Sequence, residues 1–466
     1  MVKIKTPRLL CVIRKEKVGM VISRSNYRNI CSYTFFMVNL FILILSVINE
    51  GFSEIAYIII SVSSVLFCVI IICLERQGGF LNPMTFCIIS VFFFILIRPV
   101  FFSQNITENL NEVITAGLEI DEIYVFYSLA VVNISLAFTV LLYSVQKGTV
   151  SKLVGQLPDL FFYNKQLSIL LLWGGGLFSA IFLIKSYKKF IILGQVSVFE
   201  ADAYGLHDEL FWFTLSKYCY ILSLLFSKNK NFILYSLLIF ITSIGYILVG
   251  LRGYTIAYGF LLLFFLDIRY RLKIKWLLLV AILVTTISSL ILNYRIGIEV
   301  NSGLLGIIFN PLLQQGASFE TVYGALKYNE KILSCISYYD YFFTNKDIGS
   351  CIDIARGVYF KEGGSFASSF YSELIYFGWI IGSVALLLFA FSLAFVQSCY
   401  EKIIKNSMNN KLAYTYRLII FLALPNLIYF ARSSLFDFIN KVLFIALFIG
   451  GLSIVRHIAL NIKKCH

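Results

Sequence analysis

The eighteen residues from Tyr57 to Leu74, YIIISVSSVLFCVIIICL, carry no charge, and comparable runs recur from one end of the chain to the other. Backbone amides in a bilayer core find no water, so a segment of this kind must satisfy them internally as a helix or within a closed barrel. A helix needs about 20 apolar residues to cross, whereas a barrel strand is about ten residues long and alternates polar with apolar. These runs are long and continuous, which excludes the barrel. Only 14% of the 466 residues are charged and 59% are hydrophobic, against about a quarter and about half in a soluble domain. The sequence therefore predicts an all-α fold: a polytopic integral membrane helical bundle, one membrane domain over residues 1–466. Hydropathy places about twelve spans, near 30–48, 55–74, 80–97, 123–143, 167–184, 210–226, 232–249, 254–266, 276–292, 374–396, 414–429 and 441–455.

The formal net charge of +14 invites a nucleic-acid reading, but the distribution of charge points elsewhere. Residues 1–29 form a basic segment with Lys3, Lys5, Arg8, Arg14, Lys15, Lys17, Arg24 and Arg28. It is too long and too basic for a cleaved leader, and no small-x-small site follows Ile48. With this segment in the cytoplasm, the inside segments hold 24 Lys/Arg and 5 Asp/Glu. The outside segments hold 13 and 20, counting Lys441 at the edge of the last run among them, and Lys217 and Arg417 fall within spans. Basic residues concentrated on the cytoplasmic side are the positive-inside pattern. The positive charge is thus topological, no nucleic-acid partner is expected, and both termini are predicted cytoplasmic.

Several chemistries are absent. There is no Walker A sequence, no GxSxG and no Cys/His cluster with metal spacing, and the three histidines, His207, His457 and His466, are scattered. No metal and no cofactor are predicted. Of ten cysteines, Cys335 and Cys351 fall together in the longest outside loop, residues 293–373. They could form a disulfide if that side is oxidising. A loop longer than about 15 residues usually carries function or structure of its own. Here Phe319, Val322, Tyr323 and Leu326 recur at helical spacing, which predicts an amphipathic helix lying on the bundle.

Chemistry must then rest on arginines, carboxylates and hydroxyls. The outside face has few arginines: Arg98, Arg252, Arg295, Arg356 and Arg432. All but Arg356 lie at or near predicted span ends, where a guanidinium is paired, snorkels to headgroups, or serves function. Guanidinium matches phosphate in a two-pronged geometry, so Arg252, Arg432 and Arg295 are candidates to hold a lipid-borne pyrophosphate. Gly250 and Gly253 flank Arg252; they suit a tight turn between the seventh and eighth spans and allow close backbone approach. Glu373, at the start of the tenth span, and Asp437, five residues after Arg432, are the candidate catalytic carboxylates. A desolvated carboxyl can act as general base, and either could equally stabilise a helix start or, for Asp437, neutralise a neighbouring cation.

In these patches the chain resembles the O-antigen polymerase family, the Wzy-type repeat-unit polymerases. The resemblance covers the whole length in architecture, with about twelve spans and the main periplasmic loop between the ninth and tenth. In sequence it is carried by GLRG at 250–253, GGSFASSFYSELIYFGWIIG at 363–382 and ARSSLFDFINKVLF at 431–444. Arg295 to Gly306 also fits an arginine-ten-residues-glycine motif found in two periplasmic loops of some members; loop 185–209 has no arginine, so the second copy is missing. The resemblance implies a bacterial inner-membrane enzyme working at the periplasmic face. Its substrate would be an oligosaccharide repeat unit on undecaprenyl pyrophosphate, and its partners membrane lipid and a chain-length regulator. Arg252, Arg432 and Arg295 would hold the pyrophosphate leaving group, and Glu373 or Asp437 would take the proton of the attacking sugar hydroxyl. An O-antigen ligase, with similar spans and loop, and a lipid-oligosaccharide flippase are the alternatives. Charge crowded at the outer ends, and no detectable inverted repeat, separate this chain from transporters that bind at the midplane.

Overall fold

A computed structural model describes residues 24–48, 54–75, 79, 81–102, 121–160, 162–193, 207–228, 230–248, 252–272, 275, 316, 318–343, 351, 369–405 and 411–465. Every regular element among them is helical: α1 (Arg24–Ile48), α2 (Glu54–Glu75), α3 (Pro83–Val91), a π-helical turn (Phe92–Leu96), α4 (Ile97–Phe102), α5 (Glu122–Gly155), α6 (Lys165–Leu193), α7 (His207–Phe226), α8 (Phe232–Leu248) and α9 (Arg252–Tyr270). Three short helices, α10 (Ser318–Lys327), α11 (Asn329–Cys335) and α12 (Tyr338–Phe343), lie in the predicted large loop. They are followed by α13 (Phe370–Lys405), α14 (Lys411–Tyr429), a 3₁₀ turn (Phe430–Arg432) and α15 (Leu435–Cys465). Among the described residues, eight helices are long and apolar enough to cross a membrane, and two more, Leu210–Phe226 and Phe232–Leu248, are apolar and shorter. The predicted run 276–292 lies outside the described residues.

Helix starts follow local chemistry. Asn82 accepts a hydrogen bond from the Thr85 amide at 3.0 Å with Pro83 as the next residue, a pairing that satisfies an orphan donor and presets φ. Ser337 and Asp340 cap α12 reciprocally, as do Ser369 and Ser372 at α13. Asn164 and Asn231 each accept from the amide three residues on, at 3.1 and 3.3 Å.

Ion pairs and aromatic contacts sort the connections into two ends. At one end Arg28 pairs with Glu75, Lys147 reaches Glu401 at 2.7 Å, and Arg456 meets Asp159 at 3.1 Å. There the Lys230 ammonium donates to the carbonyls of Phe162 and Leu225 over the Tyr414 ring. The short loop helices gather at the other end, called the loop end below. Between the ends, helices are joined by small hydroxyls and amides. Ser179 is 2.7 Å from both Ser216 and Thr242, and Asn133 donates to Asn39 at 2.9 Å. Such contacts suit helices packing in lipid, where apolar surface alone gives no drive to associate. Large apolar side chains on the outer faces, such as Trp173, Trp379 and Leu447, stand exposed, as a lipid-facing surface would.

One break positions the site. Gly378, inside α13, has φ +69° and ψ −173°, a region open essentially to glycine alone. It divides α13 into a buried half-helix, Phe370 to Phe377, and a long segment that begins at the exposed Trp379. Nothing crowds the position where a Cβ would stand, so the cost of a side chain is backbone strain. Gly378→Ala is expected to lose about 1–3 kcal/mol of stability, read as a lower midpoint of thermal unfolding in detergent. An unchanged midpoint would show that the break does not need glycine.

Candidate functional site at the loop end

The half-helix of α13 carries Glu373, which is fully buried. Its carboxylate accepts the hydroxyl of Tyr341 from α12 and the backbone N–H of Leu435, the first residue of α15. The Tyr341 oxygen in turn accepts the N–H of Phe436 at 3.0 Å, and Ser434 Oγ accepts that of Asp437 at 3.0 Å. The three leading amides of α15, which no helical carbonyl can satisfy, thus find side-chain acceptors from α13, α12 and the preceding turn. The negative charge of Glu373 also sits where a helix dipole favours it. Tyr341 is held with its ring 4.9 Å from that of Phe377 and 6.1 Å from that of Phe436. Glu373 therefore ties a loop helix, the broken span and the start of the last span into one node.

Arg432 projects from the 3₁₀ turn just before α15. Its backbone is fixed on both sides. Phe430 stacks on Phe389 at 4.2 Å and meets Phe370 edge-on at 5.6 Å, and Ala431 is buried. The Ser433 amide donates to the carbonyls of Tyr429 and Phe430 at 3.1 and 3.0 Å. Arg432 itself is partly exposed, as is Asp437 in the first turn of α15. The Asp437 carboxylate, 44% exposed, pairs with Lys441 one turn along.

The stretch around Arg252 comes to the same place. The sequence suggests a turn over 250–253; in the structure Arg252 is already the first residue of α9, and Gly253 lies in its first turn. A Cβ on Gly253 would stand 2.3 Å from the Tyr429 ring. The close approach that glycine permits here is made by the protein's own tyrosine, which also stacks on Tyr254 at 5.4 Å. Gly253 thus lets the start of α9 lie against the turn bearing Arg432. Gly250, Arg295, Gly306 and Arg356 lie outside the described residues.

Arg98 has a different neighbour. It forms an ion pair with Glu320 of α10, and both side chains are buried. The π-helical turn just before Arg98 adds a residue to the helix, a feature common near functional segments. The predicted amphipathic helix of the loop is present as α10, but Ser318 to Ala325 are buried throughout. Thr321 donates to Ser369 at 2.9 Å, and the Asp121 amide donates to Tyr323 at 3.0 Å. The helix is wedged into the bundle, and it could not have been distinguished from a surface helix by spacing alone.

Cys335 and Cys351 are joined by a disulfide with Cα atoms 5.8 Å apart. It closes the segment from which Tyr341 reaches Glu373. Peptide mapping without reductant is expected to recover Cys335 and Cys351 on one linked fragment, and Cys335→Ser is expected to lower the midpoint of thermal unfolding in detergent by loosening α12. A fragment with both thiols alkylated would contradict the pairing.

Sequence reasoning named Glu373, Asp437, Arg432 and Gly253 and left out Ser434 and Tyr429. The Ser-x-x-Asp pattern at 434–437 is a readable helix-start signal; the reach of Tyr341 to a carboxylate 32 positions away leaves no local mark.

No family model and no solved structure matches the chain. Among curated proteins, it is 98% identical over 447 residues to an O-antigen polymerase of Escherichia coli, a match covering 96% of this chain and the whole of that protein.

Proposed function

The chain belongs to the O-antigen polymerases, and from that premise we propose how it joins lipid-linked oligosaccharide repeat units at the loop end of its bundle. It is a multi-pass membrane glycosyltransferase of the bacterial inner membrane. About twelve helices span the bilayer, both termini are cytoplasmic, and the loop end faces the periplasm. The basic residues on the opposite side support this orientation.

The donor is the growing glycan on undecaprenyl pyrophosphate, and the acceptor is a sugar hydroxyl of the next lipid-linked unit. The bond from the anomeric carbon to the phosphate oxygen breaks, and its electron pair leaves with the pyrophosphate. A new bond forms from that carbon to the acceptor oxygen, whose proton passes to a carboxylate. The donor is already activated, so no nucleotide enters. Arg432 and Arg252, with Arg295 from the large loop, neutralise the departing pyrophosphate, an electrostatic stabilisation that strengthens as charge develops. Arg252 opens α9, where the helix dipole disfavours a cation. An anion between it and the helix start would reverse that cost.

Asp437 is the better proton acceptor of the two carboxylates. It is 44% exposed and five residues along from Arg432, whereas Glu373 is wholly buried and committed to Tyr341 and the Leu435 amide. Glu373 then acts as a positioning residue that sets the start of α15 and the turn bearing Arg432.

The single observation that carries the proposal is the close approach of the start of α9, at Gly253 and Tyr254, to Tyr429, which leads into the turn bearing Arg432. The surface glycan profile of a deletion strain tests it. Complementation with this chain is expected to restore a ladder of polymer lengths from single repeat units on the lipid core. Deletion leaving no repeat unit on the core at all would instead indicate a ligase.

A further inference from the structure

Lys217 lies ten residues into α7, about 15 Å from the helix start at 1.5 Å per residue. A lysine at such a position in an apolar helix is costly unless something answers its charge. Its ammonium lies 4.9 Å from the centre of the Tyr218 ring, and that ring is 5.6 Å from Phe444 of α15. Phe444 is one turn along from Lys441, so α7 and α15 meet at this level. Lys441 pairs with Asp437, and both lie on the stretch of α15 that the Tyr218–Phe444 contact brings towards Lys217. Two ammonium groups and one carboxylate thus gather, among the described residues, where α7 meets the first turns of α15. The arrangement carries one positive charge beyond what its own carboxylate balances.

A lysine ammonium serves phosphate as a compact point charge. The anion that reaches this depth must come with an apolar tail. Two sources share that chemistry, a phospholipid headgroup and the lipid-linked substrate. The neighbouring Asp437 and Arg432 favour the substrate. We propose that Lys217 and Lys441 bind the phosphate nearest the lipid tail of the polyprenyl pyrophosphate substrate, below the arginines that hold the sugar-side phosphate. The inference rests on the polymerase reading above and adds the tail-side half of its anion site. Asp437 keeps the two cations together when the site is empty and is released from Lys441 when phosphate arrives, which leaves it available to accept a proton.

The test uses the full chain in nanodiscs of phosphatidylcholine, with undecaprenyl pyrophosphate or phosphatidylglycerol as probe and native mass spectrometry as readout. Lys217→Gln and Lys441→Gln are expected to weaken undecaprenyl pyrophosphate binding roughly tenfold, the loss of one charge-assisted contact worth about 1.4 kcal/mol. Lys217→Arg is expected to retain it, and phosphatidylglycerol binding is expected to change little. In turnover with lipid-linked repeat units, Lys217→Gln is expected to raise KM more than it lowers kcat. Unfolding midpoints verify that the variants are folded, and Lys217→Arg supplies the charge if Lys217→Gln does not fold. Unchanged pyrophosphate binding in folded Lys217→Gln overturns the inference while wild-type polymerisation stands. Loss confined to phosphatidylglycerol overturns it too, by assigning the cluster to a headgroup. If the wild-type protein neither binds undecaprenyl pyrophosphate nor polymerises, it is the functional reading that fails.

Discussion

Replacing Arg432 with alanine is expected to yield an inserted, folded protein whose turnover falls by roughly 100- to 1,000-fold, the usual cost of removing one preorganised charge-stabilising donor. The fold should tolerate it because the turn is held by its neighbours. Phe430 is packed between Phe370 and Phe389, and Ser433 is pinned to the carbonyls of Tyr429 and Phe430. Only the partly exposed guanidinium is removed. Arg432→Lys is expected to recover part of the rate, since a point charge replaces a planar fork. The measurement is initial rate at saturating lipid-linked repeat unit, with the thermal midpoint recorded alongside. A folded Arg432→Ala protein at wild-type rate would remove Arg432 from the site.

Glu373 is expected to divide its variants sharply. In Glu373→Leu the Leu435 amide and the Tyr341 hydroxyl lose a buried acceptor. At roughly 1–3 kcal/mol for each orphaned group, the protein should lose several kcal/mol and most of its polymer. Glu373→Gln keeps an oxygen for these donors and removes only the charge. If Glu373 positions α15, the glutamine protein should keep more than a tenth of the rate with a modestly lower midpoint. A glutamine protein with a wild-type midpoint and no turnover would make Glu373 the base and displace Asp437 from that role.

The helices were legible because a bilayer leaves a chain few ways to satisfy its backbone, so continuous apolar runs such as Tyr57–Leu74 point to helices. Helix starts were less so. The tenth run reads as beginning at 374, yet α13 starts at Phe370, because the half-helix before Gly378 is buried in protein and carries polar Ser372 and Glu373. In the candidate site, residue type gave Arg432 and Asp437, since a guanidinium and a carboxylate near a span end call for explanation. Two contacts of the site depend on residues far apart in the chain. Gly253 faces Tyr429, and Glu373 caps a helix that begins 62 residues later. Arg98 looked like its fellow arginines until Glu320, from the loop, stood beside it. Pairing of this kind is set by tertiary packing and has no sequence period.

Purified wild-type protein in liposomes, supplied with repeat units on undecaprenyl pyrophosphate, measures the central claim most directly. The account predicts a ladder of glycans still attached to undecaprenyl pyrophosphate, with one undecaprenyl pyrophosphate released per bond formed, and no ladder from Arg432→Ala within the same time. Repeat units that remain single with the wild-type protein, or a ladder that Arg432→Ala builds equally fast, would contradict it.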